Sequence, residues 1–154
     1  MGVTIHYRGK LGPKVKIKTL YLLAGMICKE QQWKITDLVE TEKQESLFII
    51  YPHVNCEPLI FQINAEGNFS DQCKTQFAPV EIHKGIISLF DQIKNKFSEL
   101  VIVDEGGYWE TRDVVFLLEQ IMNCNLAIEQ AKQEDSSYYG PAKTEDGRIV
   151  DLMR

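Results

Sequence analysis

The sequence lacks nearly every feature that would declare a function at once. No apolar run reaches the roughly 18 residues of a membrane-spanning helix, so no span is expected. The opening residues, MGVTIHYRGK, lack the basic-then-apolar order of a secretory leader. Position 6 is histidine, where the myristoylation pattern needs Ser or Thr. Cysteine is sparse: Cys28, Cys56, Cys73 and Cys124 are scattered, with no C-x-x-C pair to suggest a zinc or redox motif. Cys28 and Cys124 fall in apolar helical patterns, where a free thiol behaves as a small hydrophobe. A reducing, cytoplasmic setting is the expectation. No G-x-G-x-x-G or P-loop stretch is present, and no cofactor is expected. Internal repeats and low-complexity tracts are also missing.

Strong positive charge is lacking too. The net charge is −5, which argues against a general nucleic-acid binder. The charge is nevertheless uneven. Residues 1–33 carry Arg8, Lys10, Lys14, Lys16, Lys18 and Lys29 against Glu30 alone, a net +5 that leaves −10 on the rest. No aromatic residues interleave with the Lys10–Lys18 series as they would in a single-strand binder, so a solvated basic segment is expected there.

What is present suits one globular domain. At 154 residues folding can bury roughly 70% of the chain's surface without disulfide or metal support. VTIHYRG at 3–9 alternates as a half-buried strand, with Val3, Ile5 and Tyr7 on one face and His6 and Arg8 on the other. Ile17, Leu20, Tyr21, Ala24, Ile27 and Cys28 follow helical spacing and predict a helix over about 14–32. The segment KVKIK at its start also alternates like a strand. Gly25 within this helix suggests close packing. Strand patterns follow at 34–40, 46–51, 58–64 and 69–77, with Gly67 and Asn68 turning a hairpin.

A second helix follows Pro79, with the stripe Ile82, Ile86, Leu89, Phe90, Ile93 and Phe97. ELVIVDE at 99–105 is apolar on both faces and predicts a central strand. A long last helix begins near Thr111, read as its N-cap with Asp113 in the first turn. Its apolar residues span a wide arc and need cover from the tail or another subunit. The order β-α-β-β-β-β-α-β-α predicts an α+β fold: a two-layer sandwich, mainly antiparallel, about six strands with two to three helices on one face. Residues 1–132 form the expected domain, and 133–154 a polar extension, either mobile or strapped across the body.

The densest chemistry lies in VDEGGYWETRD, residues 103–113. Asp104, Glu105 and Glu110 would repel a bare phosphate, whereas a cation or basic peptide would fit. Tyr108 and Trp109 offer ring faces to such a group. The same residues also fit a glycine turn with Trp109 packed beneath a helix start. A second cluster, YPHVNCEP at 51–58, carries His53, Cys56 and Glu57. The lone H-x-x-C is too sparse for a metal site, which is not expected. A Cys56–His nucleophilic pair is chemically allowed but matches no local signature. His6 and Arg8 complete the candidates.

The expected function is that of a small binding protein, recognising a protein partner or small ligand through the acidic-aromatic loop 104–110, with His53, Glu57, His6 and Arg8 contributing. A homo-oligomer through the last helix is the associated expectation. The alternative is a small hydrolase-type enzyme using Asp104, Glu105 and Glu110 with a histidine, metal-assisted or by acid–base chemistry. Convergence of Asp104, Glu105 and His53 on one pocket would favour the enzyme.

Overall fold

A computed structural model describes residues 2–154. The N-terminal strand β1, Thr4–Leu11, lies between β6 (Asn68–Lys74) and β7 (Phe97–Asp104), antiparallel to both. Strand β4 (Ser46–Tyr51) pairs with β5 (Leu59–Ile63) on one side and with two short strands, β2 (Lys34–Ile35) and β3 (Val39–Glu40), on the other. The β5–β6 hairpin joins these two sheets, closed by Asn64 N–H to the Asn68 carbonyl (3.0 Å), with Gly67 at φ +88°.

At the seam between the sheets the Tyr7 hydroxyl replaces a strand partner. It donates to the Ile60 carbonyl (2.9 Å) and accepts from the Ile60 N–H (2.8 Å). A buried phenol is tolerable there because its oxygen is satisfied in both senses.

Helices α1 (Ile17–Gln31) and α2 (Val80–Ile93) form the second layer. The core between layers centres on aromatic rings. Phe48 stacks on Phe61 at 4.9 Å, and Tyr7 meets Phe90 at 5.2 Å. Leu20, Ala24, Ile27 and Cys28 of α1 and Ile86, Leu89, Phe90 and Ile93 of α2 close over it. The two helices approach where Gly85 lies under Trp33. A Cβ on Gly85 would stand 2.8 Å from that ring. The fold is therefore α+β in two layers, as expected, and no described helix is long and apolar enough to cross a membrane.

Several boundaries differ from the sequence expectations. Helix α1 starts at Ile17 rather than 14, because Gly12–Val15 closes a turn through Val15 N–H and the Gly12 carbonyl. A Cβ on Gly25 would find nothing within 4 Å, so close packing is not the purpose of that glycine. The strand expected at 34–40 is broken in two. Thr36 Oγ1 accepts the Ile49 N–H and the Tyr21 hydroxyl donates to the Thr36 carbonyl, which turns the chain out at Asp37.

The last helix, α4, spans Val114–Glu134 and is capped by Asp113, whose carboxylate accepts from Val115 and Phe116. Thr111 instead ends a short helix, α3, Tyr108–Thr111. The extension forms a small hairpin of β8 (Ala142–Lys143) and β9 (Ile149–Val150). It is tied to the body by Lys74–Asp151 (2.7 Å) and by Ile149 N–H to Glu57 (2.7 Å).

Candidate functional site

The segment 103–113 divides into an inward half and an outward half. Asp104 ends β7 with its side chain wholly buried. Its Oδ1 accepts the Gly106 N–H (2.8 Å), and its Oδ2 accepts those of Tyr108 and Trp109 (3.0 Å each). Oδ2 also meets His83 Nε2 of α2 at 2.9 Å. His83 Nδ1 in turn lies 2.6 Å from Thr75 Oγ1. Burial alone would raise the Asp104 carboxyl. The His83 hydrogen bond and charge, with the backbone N–H groups, outweigh it and hold the carboxyl below the ordinary carboxylate range.

The two glycines are what let the chain wrap so tightly. A Cβ on Gly106 would stand 2.6 Å from Leu117 Cδ1, and Gly107 adopts φ +71° with Phe116 against it.

The series Thr75–His83–Asp104 has the connectivity of a hydroxyl–imidazole–carboxylate relay. It is sealed, however: Thr75 is 1% exposed and His83 0%. No substrate can reach the hydroxyl, so the array works as a staple. It ties the chain after β6, helix α2 and the end of β7 into one unit. Sequence reasoning missed His83 and Thr75 in this role. The available signal was the position of His83, four residues before Ile87 and seven before Phe90 on the buried side of α2.

Asp104 was expected in the contact surface. The geometry turns it inward, since four donors converge on its carboxylate. Tyr108 and Trp109 are half-buried against the core, and Tyr108 meets the His83 ring edge-on at 6.4 Å. Arg112 lies over the Trp109 ring at 4.9 Å and donates from Nε to the Trp109 carbonyl (2.8 Å). Its guanidinium also forks onto Asp91 of α2. That clamp, also missed, holds the Asp91 carboxyl low through its hydrogen bonds. Glu110 is exposed, and Glu105 faces out to His6 Nε2 at 3.4 Å.

His6 and Arg8 come together on the open face of β6–β1–β7. They line a shallow bowl of about 370 Å³ with Gln72, Val101, Val103 and Arg148. Its polar groups are engaged in pairs: His6 Nε2 with Glu105 at 3.4 Å, Arg8 with Glu99 at 3.9 Å, and Arg148 with Asp71.

His53 and Glu57 lie elsewhere. His53 Nδ1 accepts the Asn55 N–H (3.0 Å). Glu57, also expected at a contact, is 2% exposed, and its carboxylate receives the N–H groups of Lys74 and Ile149 and the Arg148 guanidinium. Cys56 turns its sulfur to Cys73 (3.6 Å) and to the Glu57 carbonyl rather than to His53. Burial, with Cys56 beside it, pushes the Cys73 thiol well above its usual range, away from the thiolate needed for attack or ligation. Asp104, Glu105 and His53 thus occupy three separate environments.

No protein-family model, curated protein or solved structure matches the chain. The most unusual surface of the molecule is that of α4. Only Leu117 and Ile128 of its 21 residues are buried. The tail runs beside one side of α4, where Asp151 and Leu152 border a gap of about 160 Å³ with Cys124, Ala127 and Ile128. Val115, Leu118, Met122 and Leu126 remain 43–60% exposed. At about 100° per residue they share an arc of about 80°, centred about 135° from the buried side. The sequence displayed the width of this apolar arc, but not which part of it stays open.

Proposed function

We propose that this protein is an interaction module whose α4 outer face docks a protein partner carrying an apolar stripe flanked by basic side chains. The observation that carries the reading is the open stripe Val115, Met122 and Leu126 on the outer side of α4, continued toward the body by Leu118, which borders the cavity beside Phe77 and Val80. Monomeric proteins seldom leave such contiguous apolar surface to water without a use for it.

The charge around the stripe supports a basic partner. From Asp113 to Glu134 the carboxylates are Asp113, Glu119, Glu129 and Glu134, against Lys132, which is itself paired with Glu129 at 3.3 Å. Two copies of so acidic a helix would repel, which favours a foreign partner over a homo-oligomer through α4. Within the segment 104–110, Glu110 is exposed ahead of α4, whereas Glu105 faces His6 and Asp104 holds the turn that leads to α4. The bowl beside His6 and Arg8, whose polar groups are already engaged, has no part in this docking.

The test uses two synthetic amphipathic helical peptides with the same leucine stripe, one with lysine flanks and one with glutamate flanks. Isothermal titration should show binding of the lysine peptide alone. Met122→Glu adds negative charge while removing apolar surface. It should abolish binding; tightened or unchanged binding would mean that only bulk charge was being read.

A further inference from the structure

The two free edges of the sheet are built differently. At the β4 edge the covering strands β2 and β3 are two residues each, and Asp37 is turned outward between them. Short, interrupted, charged edges resist further pairing. At the other edge, β7 runs for eight residues and pairs only with β1.

Glu105 N–H donates to the Thr4 carbonyl at 3.0 Å. Strand alternation then directs the backbone groups of Val103 and Val101 to β1 and those of Ile102 and Leu100 to the open side. Among the described residues, no other segment bonds the Leu100 or Ile102 backbone. Proline, glycine and lysine are all missing from 98–104, and the register shift falls earlier, opposite Lys10 and Leu11. Apolar side chains stand on both faces: Leu100 and Ile102 toward the core, Val101 and Val103 outward, Val103 being 56% exposed.

We infer that the β7 edge pairs with the β7 edge of a second copy of this chain, antiparallel about a two-fold axis at Val101. That register bonds Leu100 of each copy to Ile102 of the other and satisfies all the free N–H and C=O groups of both residues. It sets Glu99 against Val103 of the second copy and Val101 against Val101, so no like charges meet. An axis at Glu99 would oppose two carboxylates. An axis at Leu100 would pair Ile102 with Ser98, next to the irregular end of the β1 ladder. The sequence is therefore self-complementary in the register that pairs the free backbone of Leu100 with that of Ile102 and keeps the carboxylates apart, which is why a second copy is the occupant. Edge pairing alone buries less than a standard stable interface, so the dimer is weak, forming at about 10 μM to 1 mM.

Sedimentation equilibrium of the full chain over that range, with two lysine variants, tests the register. Val101→Lys places two ammonium groups face to face and should weaken dimerisation at least about tenfold. Val103→Lys sets each lysine against Glu99 of the second copy and should retain or tighten it. Hydrogen exchange at Leu100 and Ile102 should slow with protein concentration in the wild type and not in Val101→Lys. Circular dichroism confirms that each variant is folded, as both side chains lie on the outer face. A wild type monomeric throughout, equal weakening by both lysines, or a dimer lost in Met122→Glu but kept in Val101→Lys would each overturn the inference. The last result would move self-association to α4.

Discussion

Helices α2 and α4 are both rich in apolar residues and both start within a few residues of a strand or turn. Yet α2 buries seven of 14 residues and α4 buries two of 21. The difference does not lie in composition. Helix α2 lies flat on the sheet, so its stripe meets Tyr7 and the aromatic core, and His83 bonds to Asp104 at the sheet's end. Helix α4 meets the body at fewer points: Leu117 packs against Gly106, Gln76 donates to Asn125 Oδ1 (3.0 Å), and Ile128 is buried near its end. Apolar residues on α2 hold the fold together; those on the outer side of α4 are left for something else. The first set should be costly to change, and the second nearly free in stability and costly in association.

The largest effects are expected on the α2 side. Phe90→Ala removes a fully buried ring and should cost about 3–5 kcal/mol in urea unfolding. Asp104→Ala leaves His83 and three N–H groups without their acceptor, and a similar loss of about 3–5 kcal/mol is expected.

The same staple sets an acid limb. The folded Asp104 carboxyl titrates below its unfolded value of roughly 4, so its contribution is complete above that pH and is lost as pH falls through the lower, folded value. Asp104→Asn should flatten this part of the stability–pH curve. A curve parallel to the wild type below about pH 4 would show that Asp104 is not the group responsible.

Tyr7→Phe comes next. It strands the Ile60 N–H and carbonyl at the seam and should cost about 1–3 kcal/mol, with hydrogen exchange at Ile60 accelerating more than at Phe48. Gly25→Ala should gain about 0.5–1 kcal/mol, because it adds helix propensity in open space; a loss in thermal melts would reveal a contact at Gly25. The smallest change is predicted for Met122→Glu, within about 0.5 kcal/mol of wild type. A large destabilisation there would erase the contrast between the two helices.

The local elements were legible wherever periodicity and punctuation agreed. Strand β4 matches its strand-like run from Ser46 to Tyr51, the β5–β6 hairpin follows its Gly67–Asn68 turn, and α2 starts directly after Pro79. Boundaries slipped where a side chain took over a backbone bond, as at Thr36. They slipped again where two helix starts lay close together: Thr111 and Asp113 are both plausible caps, but only Asp113 receives the Val115 and Phe116 N–H groups. The site was less legible than the fold. Asp104 and Glu57 read as polar surface because their partners are remote: His83 is 21 residues from Asp104, and Ile149 is 92 from Glu57.

The sequence by itself determined the α+β class, the main strands and helices, the acidic balance and the excess apolar arc of the last helix, because each depends on short-range spacing or on composition. Only the tertiary structure decided which carboxylates are buried staples, which arc of α4 stays open and which sheet edge is left unpaired. Those outcomes depend on which distant segments meet, and a buried acid and an exposed one are the same letter until the donors that surround it are in place.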